Sequence, residues 1–404
     1  MKTRSLDFRR IVVYVGIFSL LSYFILAWAR MIRDPDQRTG SDFIGFYSFG
    51  RIMQTKGIQH LYDIDAQQSL EEEVVGHHVT PIFYTHIPLI APLSLLLVNE
   101  DYIASFKRWA LVLLLLNVLN VYLLVNLLEL CQFTRENLFI LCMGTFLFDP
   151  TFSGLMNGQD TAILLLGAAL WAEGLFSERY FLSGIGLSLT AVRPQIALFL
   201  AIPFFFRQRR VFWGFLLGGS ILAGVSIALL RTEGTLKFLE SLRYIESTVW
   251  REPHALDMPT ISGLIRRNFV IYDPGPVKNF IWFSYVLGIA GFCLLFWKSP
   301  RIEERHVGLL AAVGILLLPY AHYHDLILLL VPIFCLLRLY QKDSRIPQHY
   351  LAIVPLAVSW LFALGFVGSG ALKFPIVYAV MFILAYLLVT AAKPRLPSTF
   401  SISR

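Results

Sequence analysis

Asp42 opens the stretch SDFIGFYSFGRIMQTKGIQHLY, residues 41–62, just beyond the first long apolar run of the chain. A carboxylate at that place would face water near the headgroups on the far side of a membrane. There it could take a proton from a hydroxyl. Ser-Asp ahead of an apolar run is equally a good helix N-cap, so position alone leaves both roles open. Asp63-Ile64-Asp65 forms a DxD, a spacing that can hold a divalent cation, but Leu-Tyr-Asp reads just as well as a turn.

Arg193 interrupts an apolar stretch, where a guanidinium is costly unless it meets a wet cavity or an anion. Its planar donor fork suits a phosphate, and a partner acid such as Asp160 or Glu173 would give it a structural role instead. Asn157-Gly158-Gln159-Asp160 lies at the end of another apolar run. N-capping explains Asp160 there but not Gln159. His322, His324 and Asp325 follow Pro319 in PYAHYHDL, where imidazoles could donate to a phosphate or a sugar hydroxyl. As a zinc site this trio is incomplete. The other histidines, His77, His78 and His86 among them, read as interfacial.

These residues need a scaffold, and composition says which kind. Of 404 residues 56% are hydrophobic and only 15% charged, with mean hydropathy +0.64, which excludes an ordinary soluble chain. The charges cluster between apolar runs, as they must if each run crosses about 30 Å of hydrocarbon. The net charge of +7 lies largely in short loops. The positive-inside rule accounts for it, with no need of nucleic acid. The four cysteines, Cys131, Cys142, Cys293 and Cys335, are far apart and read as small apolar packing residues. The first apolar run is too long for a cleaved signal and reads as a retained anchor.

The expected fold is an all-α polytopic membrane domain over residues 1–404. Spans are predicted near 11–29, 103–128, 137–150, 160–176, 181–192, 195–206, 211–230, 280–297, 306–319, 326–340, 349–366 and 374–391. Twelve spans put both termini in the cytoplasm and leave two large outer loops, 30–102 and 231–279. The run 88–98 is too short to cross, so it reads as a juxtamembrane helix within the first loop. The halves around Arg193-Pro194 are also short. Half-helices meeting at a charged, proline-broken point are the mark of backbone lining a polar cavity.

In order along the chain, four segments resemble glycosyltransferase family 87, the polyprenyl-phosphate-mannose-dependent α-mannosyltransferases of the GT-C superfold. The first is SDFIGFYSFGRIMQTKGIQHLYD with FYTHIPLIAPLSLLL, similar to DF-x-x-(F/Y)Y…G…LYD…YPPL…PL. NGQDTAILLLGAAL resembles the family's GQ-x-N segment. FLSGIGLSLTAVRPQIALFLAIPFFF resembles its KPQ segment, and LLPYAHYHDLILLLVP its SP…HY segment. Three positions depart: Thr85-His86-Ile87-Pro88 stands for YPP, Arg193-Pro194 for Lys-Pro, and Asp160-Thr161 follows Gly-Gln in place of Asn.

The resemblance implies an inverting glycosyltransferase in a bacterial-type inner membrane, working on the periplasmic or extracellular face. Asp42 would be the general base. Arg193, His322 and His324 would hold the donor phosphate, with Tyr47, Arg51, Tyr62, Gln159, Asp160 and Gln195 around the substrates. The donor is a polyprenyl-phosphate hexose, most simply mannose, and the acceptor a lipid or glycan. No metal or other cofactor is expected, because a lipid phosphate leaving group needs one less than a nucleotide diphosphate does. Two other classes share features of the chain. A flippase of lipid-linked saccharides would use the broken helix and cavity cations, and an O-antigen-type polymer ligase would use the basic second outer loop.

Overall fold

The structure is a computed structural model that describes residues 8–34, 39, 41–78, 82–84, 86–247, 256–269, 274–343, 346–367 and 372–391. Lys2, Arg4, Trp250, His254, Asp273 and the C-terminal Lys393-Pro394-Arg395 lie outside them. Among the described residues there are seventeen α-helices and no strand. In chain order they are α1 Phe8–Arg33, α2 Phe43–Thr55, α3 Ile64–Val75, α4 Ala91–Leu97, α5 Tyr102–Val125 and α6 Arg135–Phe146. Next come α7 Asp149–Asn157, α8 Thr161–Phe176, α9 Tyr180–Ser188, α10 Pro194–Ala201, α11 Arg209–Ser247 and α12 Ile261–Asn268. The last five are α13 Pro274–Lys298, α14 Glu304–Leu317, α15 Leu330–Gln341, α16 Gln348–Val367 and α17 Lys373–Thr390.

Seven helical segments are long and apolar enough to cross a membrane, or eight if α6 and α7, bent by 43°, count as one. This is a multi-pass membrane protein. On length alone, seven or eight of the twelve spans expected from hydropathy qualify. The other four segments, α8, Tyr180–Val192, Pro194–Phe205 and α14, are at most 16 residues long, short of the roughly 20 that a crossing takes. Burial explains how short helices persist. Eleven residues of α8 are buried, so its neighbours, not lipid, satisfy its surface. By contrast α1 shows Phe18 and Leu26 at 71% and 68% exposure, which suits hydrocarbon and little else.

Two other boundaries differ from expectation. Helix α11 does not stop near residue 230. Arg231 takes a left-handed conformation (φ 55°) that kinks it, and the helix resumes to Ser247, so the segment expected as the second large loop begins as helix. The first loop is more than a surface decoration. In α2 every residue from Phe43 to Gly50 is buried, and Phe43, Phe46, Phe49, Tyr62, Tyr84 and Trp109 share a core of their own. Fully burying each such ring is worth about 1.5–3 kcal/mol. A separate and larger core around Phe148, Phe199, Phe204 and Phe334 joins the bundle. The four cysteines are free, and Cys131 is exposed rather than packed.

The run 88–98 forms a 3₁₀ turn, Pro88–Ile90, followed by α4 of seven residues. At 1.5 Å per residue α4 is about 10 Å long, so it cannot cross. Residues on either side of it therefore share one face of the membrane. In a variant lacking the native cysteines, His77→Cys and Glu100→Cys should both label with an impermeant maleimide in intact cells. Labelling of one and protection of the other would mean that the chain crosses between them.

Candidate active site

The site forms where three chain breaks meet. Helix α7 ends at Gly158, which is left-handed (φ 70°) and lies so close to α2 that a Cβ would stand 2.7 Å from Phe43 Cβ. Only glycine fits both demands. Trp109 Nε1 donates to the Gly158 carbonyl at 2.7 Å, which fixes the turn and presents Gln159 and Asp160 to the start of α2. The second break is at Arg193, an extended residue (φ −127°, ψ 86°) between the 3₁₀ turn Leu189–Val192 and α10, whose first residue is Pro194. Here the proline-broken point predicted from sequence is present. The third is the bend at Tyr320 to His322 before the 3₁₀ segment Tyr323–Leu329.

Asp42 occupies the N-cap position of α2 but makes no side-chain cap. Its carboxylate instead accepts from Gln159 Nε2 at 2.8 Å, and Gln159 Oε1 accepts from Arg193 Nη2 at 3.1 Å. Arg193 is buried. Its Nη1 lies 3.0 Å from Asp160 Oδ1 and its Nε 3.3 Å from Asp325 Oδ1. Neither of those oxygens has a well-aligned hydrogen bond among the described residues, so charge more than geometry holds them. Asp325 Oδ2 accepts the His322 amide at 2.8 Å. A carboxylate set against a guanidinium in this way is no cation ligand, which removes Asp325 from any zinc trio with His322 and His324.

His86 is the residue that sequence reasoning missed. Its Nδ1 lies 2.9 Å from Asp160 Oδ2 and also contacts Arg193 Nη1. One nitrogen cannot donate to the carboxylate and accept from the guanidinium at once, so His86 has two arrangements, one per tautomer. It falls in Thr85-His86-Ile87-Pro88, the stretch that departs from the family's YPP, and that departure was the available signal. Tyr84 stacks on its ring at 5.0 Å, and Tyr62 Oη donates to its carbonyl at 2.5 Å. Gln67 and Glu71 of α3 pin the chain leading to it, accepting the Tyr84 and Ile82 amides at 2.9 and 2.8 Å.

His322 is half-buried, with Nε2 2.8 Å from Tyr320 Oη, while His324 is buried behind it with ring centroids 5.5 Å apart. Gln195 donates to the Tyr320 carbonyl at 3.1 Å, so it supports the bend that carries His322. Tyr62 acts through His86. Tyr47 and Arg51 do not join the cluster. Tyr47 donates to the Glu100 carbonyl, and Arg51 bonds Gln54 and lies 3.7 Å from the Glu100 carboxylate. As for the DxD, both oxygens of Asp63 are taken, one by the Ala66 amide that starts α3 and one by Lys237 at 2.8 Å. The Lys237 hydrogen bond holds the Asp63 carboxyl below its usual range. Among the described residues no group of three His, Cys, Asp or Glu side chains is arranged to hold a metal.

A model of glycosyltransferase family 87 matches residues 81–322, more than half of the chain. The chain belongs to glycosyltransferase family 87. No curated protein and no solved structure matches it. The matched span of this glycosyltransferase holds His86, Gln159, Asp160, Arg193, Gln195 and His322. It leaves out Asp42, Tyr47, Arg51, Tyr62 and His324. Asp42 is thus tied to the family region by contact, through Gln159, and not by the match itself.

Burial of Glu71, 1% exposed with one oxygen unpartnered among the described residues, raises its carboxyl from 4.5 to about 7. The folded glycosyltransferase holds that proton more tightly than the unfolded chain does. The stability it contributes is therefore complete at low pH and lost as pH rises from 4.5 to about 7. Glu71→Gln keeps a hydrogen-bonding side chain without the charge. Melting of the purified variant should fall less between pH 5 and about 8 than melting of the wild type. Equal slopes would show that Glu71 is not held protonated.

Proposed function

We propose that this glycosyltransferase transfers a hexose, most simply mannose, from a polyprenyl-phosphate donor to a hydroxyl of a lipid or glycan acceptor at the outer membrane face. The observation that carries this reading is the Asp42 carboxylate. It stands at a helix start yet leaves the helix amides uncapped, and it is only partly buried. Its one bond to the buried cluster is to a neutral amide, Gln159, which orients it without neutralising it. That is the setting a general base needs.

In the proposed reaction the acceptor oxygen attacks the anomeric carbon as Asp42 takes its proton. The bond from that carbon to the phosphate oxygen breaks, and the configuration inverts. The polyprenyl phosphate leaves with the electron pair, and positive charge nearby stabilises it. Family membership supports a transferase over a flippase. Against a polymer ligase that relies on outer-loop cations stands the geometry of Arg267, which donates to the Leu256 and Met258 carbonyls and to Tyr378. Its donors fasten the loop to α17.

Charge bookkeeping refines the phosphate's place. Asp42, Asp160 and Asp325 face one Arg193, so with neutral imidazoles the cluster is net negative. Arg193 could touch the phosphate only by giving up a carboxylate or Gln159. We therefore place the phosphate against His322, the more exposed imidazole, with Arg193 and His324 behind it. An imidazole N–H at His322 would donate to a phosphate oxygen. The affinity for a polyprenyl-phosphate sugar, read by calorimetry, should weaken about tenfold or more in His322→Ala. Unchanged affinity in that variant would remove His322 from the phosphate site.

Asp42→Asn keeps the Gln159 contact and removes the proton acceptor. Turnover should drop by about 10²–10⁴-fold with donor binding nearly unchanged. Asp42→Glu, which displaces the carboxylate by about an ångström, should cost on the order of a hundredfold. Asn caps helices about as well as Asp, so a mere cap would tolerate it. Near-normal turnover in Asp42→Asn would end the assignment.

A further inference from the structure

Four rods leave the Asp42 cluster and run to the other end of the bundle. These are α8, the broken helix Pro194–Phe205, α14, and the helical segment Tyr323–Gln341. Their far ends, with the turn before α14, enclose a polar cavity of about 560 Å³. Arg207, Arg301, Arg338 and Lys342 stand on its wall. Three acids do too, but Glu303 is taken by Arg305, from outside the cavity, at 2.9 Å. That leaves Glu178 and Glu304 against four cations. Glu304 accepts both Arg338 and Lys342 at 3.1 Å, so those two share one partner. Arg207 and Arg301 have no ion pair among the described residues; Arg207 donates one bond, to the Pro300 carbonyl.

A second, independent observation falls on the same walls. Among the described residues only three non-glycine residues adopt positive φ, and two of them, Glu178 (59°) and Gln208 (64°), line this cavity. Each left-handed residue costs about 1 kcal/mol or more and persists where the surroundings impose it. One closes the turn after α8, and the other lies just before α11, next to Arg207. Phe176 adds an apolar edge beneath the Arg338 guanidinium, 5.1 Å from its ring centre.

We propose that this cavity binds a phosphate mono- or diester at the membrane face opposite the Asp42 site. Guanidinium forks match phosphate oxygens, the volume suits a headgroup-sized ligand, and the two left-handed turns hold the walls apart. Such a phosphate has two sources, an anionic phospholipid headgroup or a free phosphorylated metabolite. The pocket's chemistry is the same for both.

The test uses full-length protein with two probes. One is inorganic phosphate titrated by calorimetry into protein in detergent. The other is nanodiscs of phosphatidylcholine with or without phosphatidylglycerol, with retained lipid read by native mass spectrometry. Arg301→Ala, whose side chain bonds nothing among the described residues, tests the site without disturbing the fold, and Arg207→Ala/Arg301→Ala tests it further. The double variant should weaken binding about tenfold or more. The charge-matched control Arg210→Ala/Lys298→Ala, at exposed positions off the cavity wall, should stay within about twofold. Lysine at 207 and 301 should rescue part of the loss. Saturable binding of inorganic phosphate would identify a free phosphorylated ligand, and selective retention of phosphatidylglycerol alone a lipid headgroup. Equal loss in the control would reduce the effect to diffuse basic charge, and no saturable binding of either probe would overturn the proposal.

Discussion

One buried cation sets the terms for this molecule. Arg193 lies inside the bundle between Asp160 and Asp325, which are 0% and 2% exposed. Removing one member of such a group strands the others in a poor solvent, at a cost of about 3–5 kcal/mol. Three helices that could have run straight are broken so that these three residues meet. Pro194 starts α10 directly after the arginine, Gly158 turns the chain before Asp160, and His322 and Asp325 cap each other at the third break. The polar cluster is thus no insertion into a finished bundle; the bundle's irregular backbone exists to assemble it.

The same cluster divides labour between charge and direction. Paired charges sit deep, where they cannot be exchanged cheaply. Gln159, His86 and His322 form the layer between those charges and water. An amide or an imidazole can exchange hydrogen-bond partners without stranding a buried charge. That layering leaves Asp42 ordered and chemically available at once.

How much of this was legible in the chain follows from which forces are local. Apolar runs and their breaks are written in consecutive residues, so the helices and the Arg193-Pro194 interruption could be read directly. Which helices face lipid could not, because hydropathy cannot tell a helix bathed in lipid from one, like α8, sheathed by neighbours. Arg193 could be marked as functional or paired from its setting alone, and Asp160 as its possible partner. Asp325 was noticed only beside two histidines, as part of an incomplete metal trio, since nothing within PYAHYHDL announces an arginine 132 positions earlier. His86 was passed over for the same reason: its role depends on Gln67 and Glu71 delivering a strand-like segment across the loop. Tyr47 and Arg51 show the converse. They sit in the same motif as Asp42, yet their helix turns them toward Glu100 and away from the Arg193 cluster.

The kink at Arg231 has one more consequence. It swings the end of α11 over the first loop, where Lys237 grips Asp63, Phe238 packs on Tyr62 and Tyr244 meets Phe83 edge-on. The two loops are therefore a single clasped roof, not two independent flaps. Lifting it from above means parting an ion pair and two ring contacts together, and Tyr62 would drag on the His86 carbonyl as it went. Sliding in sideways from the lipid breaks none of these. If the donor carries the long hydrocarbon tail proposed above, the door is in the wall.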